Sequence, residues 1–351
     1  MSTLFIHALW RTGSTYFWSK YRAQPNCLAY FEPFHEALLD ARETVLSDQF
    51  QETRQLLRHP DMKSHYFSEY PFLPEGGVAH FSKDFSYDRY VLDEEESAPG
   101  IAAYLDHLVK HARAQGRSAV FQCNRTALRT AWLRRHAAGK HIYIVRDPID
   151  QFASYLDLNG NPYFLAGTML VAGKGGRHPL LRPLAEAIDL PRIDCPSVAE
   201  EMDAYYRWAL QAPLIDTLTA HFYLWLVSFL YNLKHADLVI DMNLISDSPG
   251  SRAAVEGRLA GLGFPVSLRD CLLPRSAERM HTDLLPSSWR DALNDQDNWI
   301  GPRHFAAVQA RVLQLALAHL RPALGLPADD FEERTAHVSG HLRLLALPFA
   351  S

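Results

Sequence analysis

Four short apolar runs stand apart from the helix-like patterns along the chain: Leu4–Trp10, Ala119–Cys123, His141–Val145 and Asp237–Ile240. Their length and their content of Ile, Val, Phe and Tyr suit strands covered on both faces in a parallel sheet. Helical patterns fill the intervals, so a βαβ layout is expected. Ser14 or Thr15 is placed to cap a helix whose Tyr16, Phe17 and Tyr21 run on toward Pro25. Pro148 stands where the first turn of a helix tolerates proline, which predicts a helix over Ile149–Leu158 directly after a strand. From Pro302 to Leu320 the three- and four-residue spacing of Phe305, Val308, Val312 and Leu315 predicts one amphipathic helix packed on a core.

Between these patterns, residues 160–200 are dense in glycine and proline and read as an irregular excursion, either a lid or ligand-binding surface or a loop with no role. A second loop-rich stretch, Pro71–Gly100, carries the acidic run Asp93–Glu96, read as a solvated face. No internal repeat is visible. With 351 residues, 48% hydrophobic and 21% charged, the chain can bury a full core without a metal or disulfide staple. The reading taken is one α/β domain over residues 1–351, with an insertion at about 160–215.

A formal charge of −5 supplies no global basic field for nucleic acid or membrane lipid, so any anion site has to be built locally. Arginine greatly outnumbers lysine, which codon bias explains as readily as a need for guanidinium. Cys27, Cys123, Cys195 and Cys271 are scattered, with no C-x-x-C and no histidine at metal-ligand spacing, and are expected as reduced thiols in a cytoplasmic protein. The run Leu4–Trp10 is too short for a signal-peptide core, and Phe222–Leu233 stops at Lys234 and His235, so no membrane span is expected.

Candidate chemistry begins where the first strand ends. Trp10-Arg11-Thr12-Gly13-Ser14-Thr15-Tyr16 forms a tight turn into a helix start. Helix N-termini leave backbone N–H groups unpaired and carry partial positive charge, so a phosphate fits there. Gly13 permits close backbone approach, Ser14 and Thr15 add hydroxyls, and Arg11 adds a fixed charge. A Walker A loop would need a second glycine and a lysine, and both are missing from the turn. The second segment is Val145-Arg146-Asp147-Pro148-Ile149-Asp150-Gln151-Phe152-Ala153-Ser154. Arg146 leaves a strand end, and Ser154 lies about two helical turns along, on the face that looks back toward it.

Together these segments resemble the 5′-phosphosulfate loop and the 3′-phosphate motif of the sulfotransferases that use 3′-phosphoadenosine-5′-phosphosulfate (PAPS). In that family the first carries a basic residue and [ST]-G-[ST]-[ST]. The second reads R-D-P-x-[DE]-x-x-x-S, matched here at Arg146, Asp147, Pro148, Asp150 and Ser154. Tyr30-Phe31-Glu32-Pro33-Phe34-His35 resembles the F-E-P segment of carbohydrate-type members, which often carry arginine at the position of Arg11. The segment Ala236–Ile245 is a weak match to the family's later strand and turn, and residues 160–215 match nothing in it.

The resemblance implies a P-loop-containing nucleotide-hydrolase-like parallel sheet flanked by helices, and PAPS as donor with 3′-phosphoadenosine 5′-phosphate as product. It implies a donor site of Arg11, Thr12, Gly13, Ser14, Thr15, Tyr16, Arg146 and Ser154, without a metal. Sulfuryl transfer needs in-line attack on sulfur while charge builds on the leaving phosphate, and Arg11 is suited to stabilise that charge. The acceptor is expected to be a hydroxyl of a carbohydrate or glycoconjugate-like small molecule. Glu32 is the first candidate for the base, provided partial burial raises its basicity, with His35 and Glu36 behind it. Asn124 and Arg125 stand at another strand end and face the same crevice; Asn124 is a candidate contact to donor or acceptor, Arg125 equally a structural residue. His7 reads as a satisfied core histidine, and Trp225 and Trp289-Arg290 as anchors. A P-loop kinase or NTPase, or a non-catalytic nucleotide-binding module, would share the strand, loop and helix start.

Overall fold

The computed structural model describes residues 2–48, 63–156, 163–273, 302–320, 324–326 and 328–349. In chain order the first elements are β1 (Thr3–Ala8), α1 (Ser14–Arg22), β2 (Cys27–Phe31), α2 (Pro99–Ala114), β3 (Ser118–Cys123), α3 (Thr130–His136) and β4 (Lys140–Val145). They are followed by α4 (Pro148–Leu156), α5 (Tyr163–Lys174), α6 (Arg182–Ala187), α7 (Val198–Gln211) and α8 (Leu214–His235). Next come β5 (Leu238–Asp241), α9 (Met242–Asp247), α10 (Pro249–Gly261) and α11 (Pro302–His319). The chain divides into two compact units, one of residues 1–145, 235–273 and 334–339, the other of residues 146–234, 274–333 and 340–351.

The first unit is an α/β fold around five parallel strands in the order β2-β3-β1-β4-β5. All six residues of β1 are buried, as a central strand covered on both faces requires. Successive residues of a strand face opposite sides, and β2 shows both coverings. Phe31 packs on Trp18 of α1 with ring centroids 4.9 Å apart, while the Tyr30 hydroxyl donates to the Leu108 carbonyl of α2 at 2.8 Å. The four expected strands are present within two residues of their expected bounds. The fifth, β2, was not anticipated, although Cys27-Leu28-Ala29-Tyr30-Phe31 is a β-prone run behind the turn at Pro25-Asn26.

The second unit is helical in its described residues, which corrects the expectation of an irregular excursion at 160–215. That segment carries α5, α6 and α7, and Gly173, Gly175 and Gly176 are close packing positions. A Cβ on Gly173 would collide with the Tyr205 hydroxyl of α7, and one on Gly175 with the Leu181 side chain. Pro183 lies at the start of α6, where its missing N–H costs nothing. Lys174 is 5% exposed and its ammonium reaches Glu201 at 2.6 Å and Asp194 at 2.9 Å. The helix α8 is long and apolar enough to cross a membrane, but its central residues are buried inside the protein. The expected helix over 302–320 is α11, with Phe305, Val308, Val312 and Ala316 buried. Trp289, Arg290 and the end of the expected helix at 157–158 lie outside the described residues.

Candidate functional site

Strand polarity in the first unit brings the carboxyl ends of β1, β2 and β3 to one edge, where open α/β sheets bind ligands. The turn after β1 is shaped by its own side chains. Trp10 is buried, its ring centroid 6.4 Å from those of Tyr87 and Tyr90. Thr12 is buried too, and its hydroxyl donates to the Leu9 carbonyl at 3.0 Å. Arg11 takes a φ of 61° and Gly13 one of 96°, both in the left-handed region. The φ of Gly13 is what favours glycine there; a Cβ would also stand 2.8 Å from the Met242 methyl, which could shift to make room.

The helix α1 begins at Ser14 with Gly13 as its N-cap and no side chain capping it. This corrects the expectation that Ser14 or Thr15 caps the helix. Among the described residues no hydrogen bond occupies the backbone N–H groups of Gly13, Ser14 or Thr15. The Ser14 hydroxyl instead turns inward, donating to Asn124 Oδ1 and accepting from Gln122 Nε2, each at 3.0 Å. Tyr16 donates its hydroxyl to Asp270 at 2.8 Å, and Lys20 pairs with the same carboxylate, so both fasten α1 to the segment after α10. Thr15 is partly exposed.

At the end of β2, Glu32 is only 3% exposed, and its φ of 46° bends the chain sharply. Its Oε1 accepts from the Asn124 N–H at 3.0 Å and from Gln122 Nε2 at 3.2 Å, and its Oε2 accepts from Arg125 Nη1 at 2.9 Å. Burial pushes the Glu32 carboxyl above the usual range, with Arg125 pulling the other way. Arg125, 1% exposed, also donates from Nη2 to Glu36 at 2.8 Å and to the Tyr87 hydroxyl at 3.2 Å. Glu36 keeps 21% of its side chain exposed. Burial raises its carboxyl, but Arg125 and His35 more than offset this and hold it at about 2.

His35 Nδ1 accepts from the Ala37 N–H at 3.1 Å, so the neutral ring carries its proton on Nε2. Burial holds its pKa down at about 4. The three candidate bases thus lie around one guanidinium: Glu32 has the raised basicity, Glu36 and His35 have the exposure. Arg125 is the centre of that cluster. Gln122, a polar residue inside an apolar run, was passed over in the sequence; its position on β3 was the available signal. His7 is a satisfied core histidine, with Nδ1 2.7 Å from Thr126 Oγ1 and Nε2 3.0 Å from His141 Nδ1.

The second unit holds the other predicted segment. Asp147 Oδ1 accepts from the N–H groups of Ile149 and Asp150 at 2.9 and 3.2 Å, capping α4, and its Oδ2 lies 3.0 Å from His341 Nε2. The Arg146 carbonyl accepts from Trp225 Nε1 at 2.9 Å, which makes buried Trp225 an anchor for the entry to α4. Arg146 and Ser154 are both buried, and burial lowers the Arg146 pKa. Among the described residues no group of three His, Cys, Asp or Glu side chains is disposed to hold a metal ion. No protein-family model, curated protein or solved structure matched this chain.

Proposed function

We propose that this protein is a sulfotransferase that takes a sulfuryl group from PAPS, on a P-loop-like nucleotide-hydrolase architecture. The observation that carries the reading is the start of α1: three consecutive N–H groups that bond nothing among the described residues, a left-handed glycine and Arg11 beside them. Such an arrangement suits a phosphate or sulfate group. The sequence motif adds the 3′-phosphate, assigned to Arg146 and Ser154, and with it a preference for 3′-phosphoadenosine over plain adenosine nucleotides.

In this reading the donor supplies an activated sulfuryl group, and the chain supplies position and charge. The N–H groups of Gly13, Ser14 and Thr15 hold the 5′-side anion. Arg11 stabilises the charge that grows on the leaving phosphate; a guanidinium donates a hydrogen bond and keeps its proton. The acceptor hydroxyl loses its proton to a group of the Glu32, His35 and Glu36 cluster. A hydroxyl of a carbohydrate or glycoconjugate-like small molecule is the acceptor proposed, on the strength of Phe31-Glu32-Pro33 and Arg11.

Thermal-shift and calorimetric titration with 3′-phosphoadenosine 5′-phosphate, ADP, ATP and GTP tests the donor assignment. Preference for the 3′-phosphorylated nucleotide by at least about tenfold is expected, the worth of a charge-assisted hydrogen bond to phosphate. Equal affinity for ADP rejects the reading. Labelled PAPS offered with sugar, phenol and amine panels, with and without chelator, then tests the transfer. Labelling of sugars unaffected by chelator is expected, while a strict need for Mg²⁺ together with ATP binding would identify a kinase or NTPase instead.

A further inference from the structure

We infer that the side-chain amide of Asn124 is a fourth donor to the anion seated at the start of α1, contributed from the end of β3. The inference rests on reading that helix start as an anion cradle, and it adds a binding residue from a different element. Its basis is a chain of donors and acceptors whose orientation is dictated by chemistry.

The chain starts at Glu32. Its carboxylate receives the Asn124 N–H, an Arg125 guanidinium and the Gln122 amide, so the group of Gln122 that faces it must be the NH2. The same Gln122 Nε2 lies 2.9 Å from the Asn124 side chain, which must therefore present its oxygen. Ser14 Oγ agrees with that orientation, donating to Asn124 Oδ1 at 3.0 Å. A flipped Asn124 would set NH2 against NH2. The orientation of both amides is thus fixed by one buried carboxylate rather than by a choice between look-alike atoms.

What remains is Asn124 Nδ2. Asn124 is 8% exposed, so more than nine-tenths of it is buried. Its N–H goes to Glu32, its carbonyl accepts from Tyr90 at 3.2 Å and its Oδ1 is held twice, yet among the described residues Nδ2 bonds nothing. That amide nitrogen is not among the sealed polar atoms of the core, so its two N–H bonds face accessible space and are available to a ligand. Its oxygen is pinned to the first residue of α1, and the NH2 shares the same carbon. The unused donors therefore stand beside the three open N–H groups of Gly13, Ser14 and Thr15. With it, four donors from two elements gather at the start of α1, a donor set suited to a tetrahedral oxyanion.

Inorganic pyrophosphate is the probe, because it carries the anion without adenosine. On the full chain, calorimetry should show that Asn124→Asp weakens pyrophosphate and 3′-phosphoadenosine 5′-phosphate alike by about tenfold or more. That variant keeps the oxygen that Ser14 and Gln122 hold but adds a negative charge near Glu32, so ligand-free melting temperatures of both variants are measured to show that each is folded under the titration conditions. Asn124→Ala should lose about the same affinity. In the unsubstituted protein, the Asn124 side-chain amide resonance should move on adding pyrophosphate, a readout that needs no variant to fold. Affinities unchanged in both variants, or an amide resonance that stays still while pyrophosphate binds, overturn the inference. Pyrophosphate binding with no preference for the 3′-phosphorylated nucleotide over ADP leaves the subsite standing and overturns the donor assignment. A protein that binds no pyrophosphate overturns the subsite itself.

Discussion

Arg125 donates to Glu32 at 2.9 Å and to Glu36 at 2.8 Å, but the two carboxylates stand in different surroundings. Glu32 is enclosed and ties β2, β3 and the helix start together through Gln122 and Asn124. Glu36 reaches the surface. Replacing Glu32 with glutamine leaves a buried guanidinium with half its countercharge and turns an acceptor into a partial donor, so stability should fall by about 3 kcal/mol. The same change at Glu36, where solvent replaces part of what is lost, should cost about 1 kcal/mol. Chemical denaturation of both variants measures this, and equal losses would reject Glu32 as the hub. If Glu36 is the proton acceptor, Glu36→Gln should lower turnover by about 10²–10⁴-fold with donor affinity intact. The carboxylate at 32 was legible from its neighbours Phe31 and Pro33. Its partner was not, because Arg125 lies 93 residues away and only the pairing of β2 with β3 brings the two together.

Among the elements, periodicity identified the strands whose apolar runs are bounded by turns, and it missed β2, whose five residues follow α1 after a short turn. It also misjudged the glycines of 160–200. Glycine and proline mark loops when nothing else is known, but here close helix packing uses the missing side chain. Gly173→Ala would drive a methyl group into the Tyr205 hydroxyl, which donates to the Pro191 carbonyl and accepts from the Ile193 N–H, each at 3.0 Å. That overpacking should cost about 1–3 kcal/mol. Gly257→Ala in α10 meets nothing within 4 Å and should instead stabilise by about 0.5–1 kcal/mol through helix propensity. Thermal melts of the two variants should move in opposite directions, and a neutral Gly173→Ala would show that α5 and α7 are not packed this closely.

Across the whole molecule, buried histidines set the acid limit. Burial lowers His35 and His221 to about 4 and His141 to about 3, so all three are neutral in the folded chain at pH 7. The unfolded chain protonates them near 6.5. Their contribution is therefore complete above about pH 6.5 and declines as pH falls toward 4, at about 1.4 kcal/mol per pH unit for each histidine charged only when unfolded. Glu36, held at about 2, adds a further loss below about pH 4.5. The melting temperature should be level from pH 7 to 8 and fall steadily from 6.5 to 4, with His141→Asn flattening part of the fall; a level profile down to pH 4 would contradict these assignments. The sequence by itself determined the strand–turn–helix segments, the glycine that the turn demands and the residues at the strand ends, because these depend on local pattern and backbone sterics. Only the tertiary structure decided which polar groups are spent on one another. Ser14, Gln122, Asn124, Glu32 and Arg125 meet through strand pairing across long sequence separations, and which hydrogen-bond donors stay open depends on those pairings rather than on any one segment.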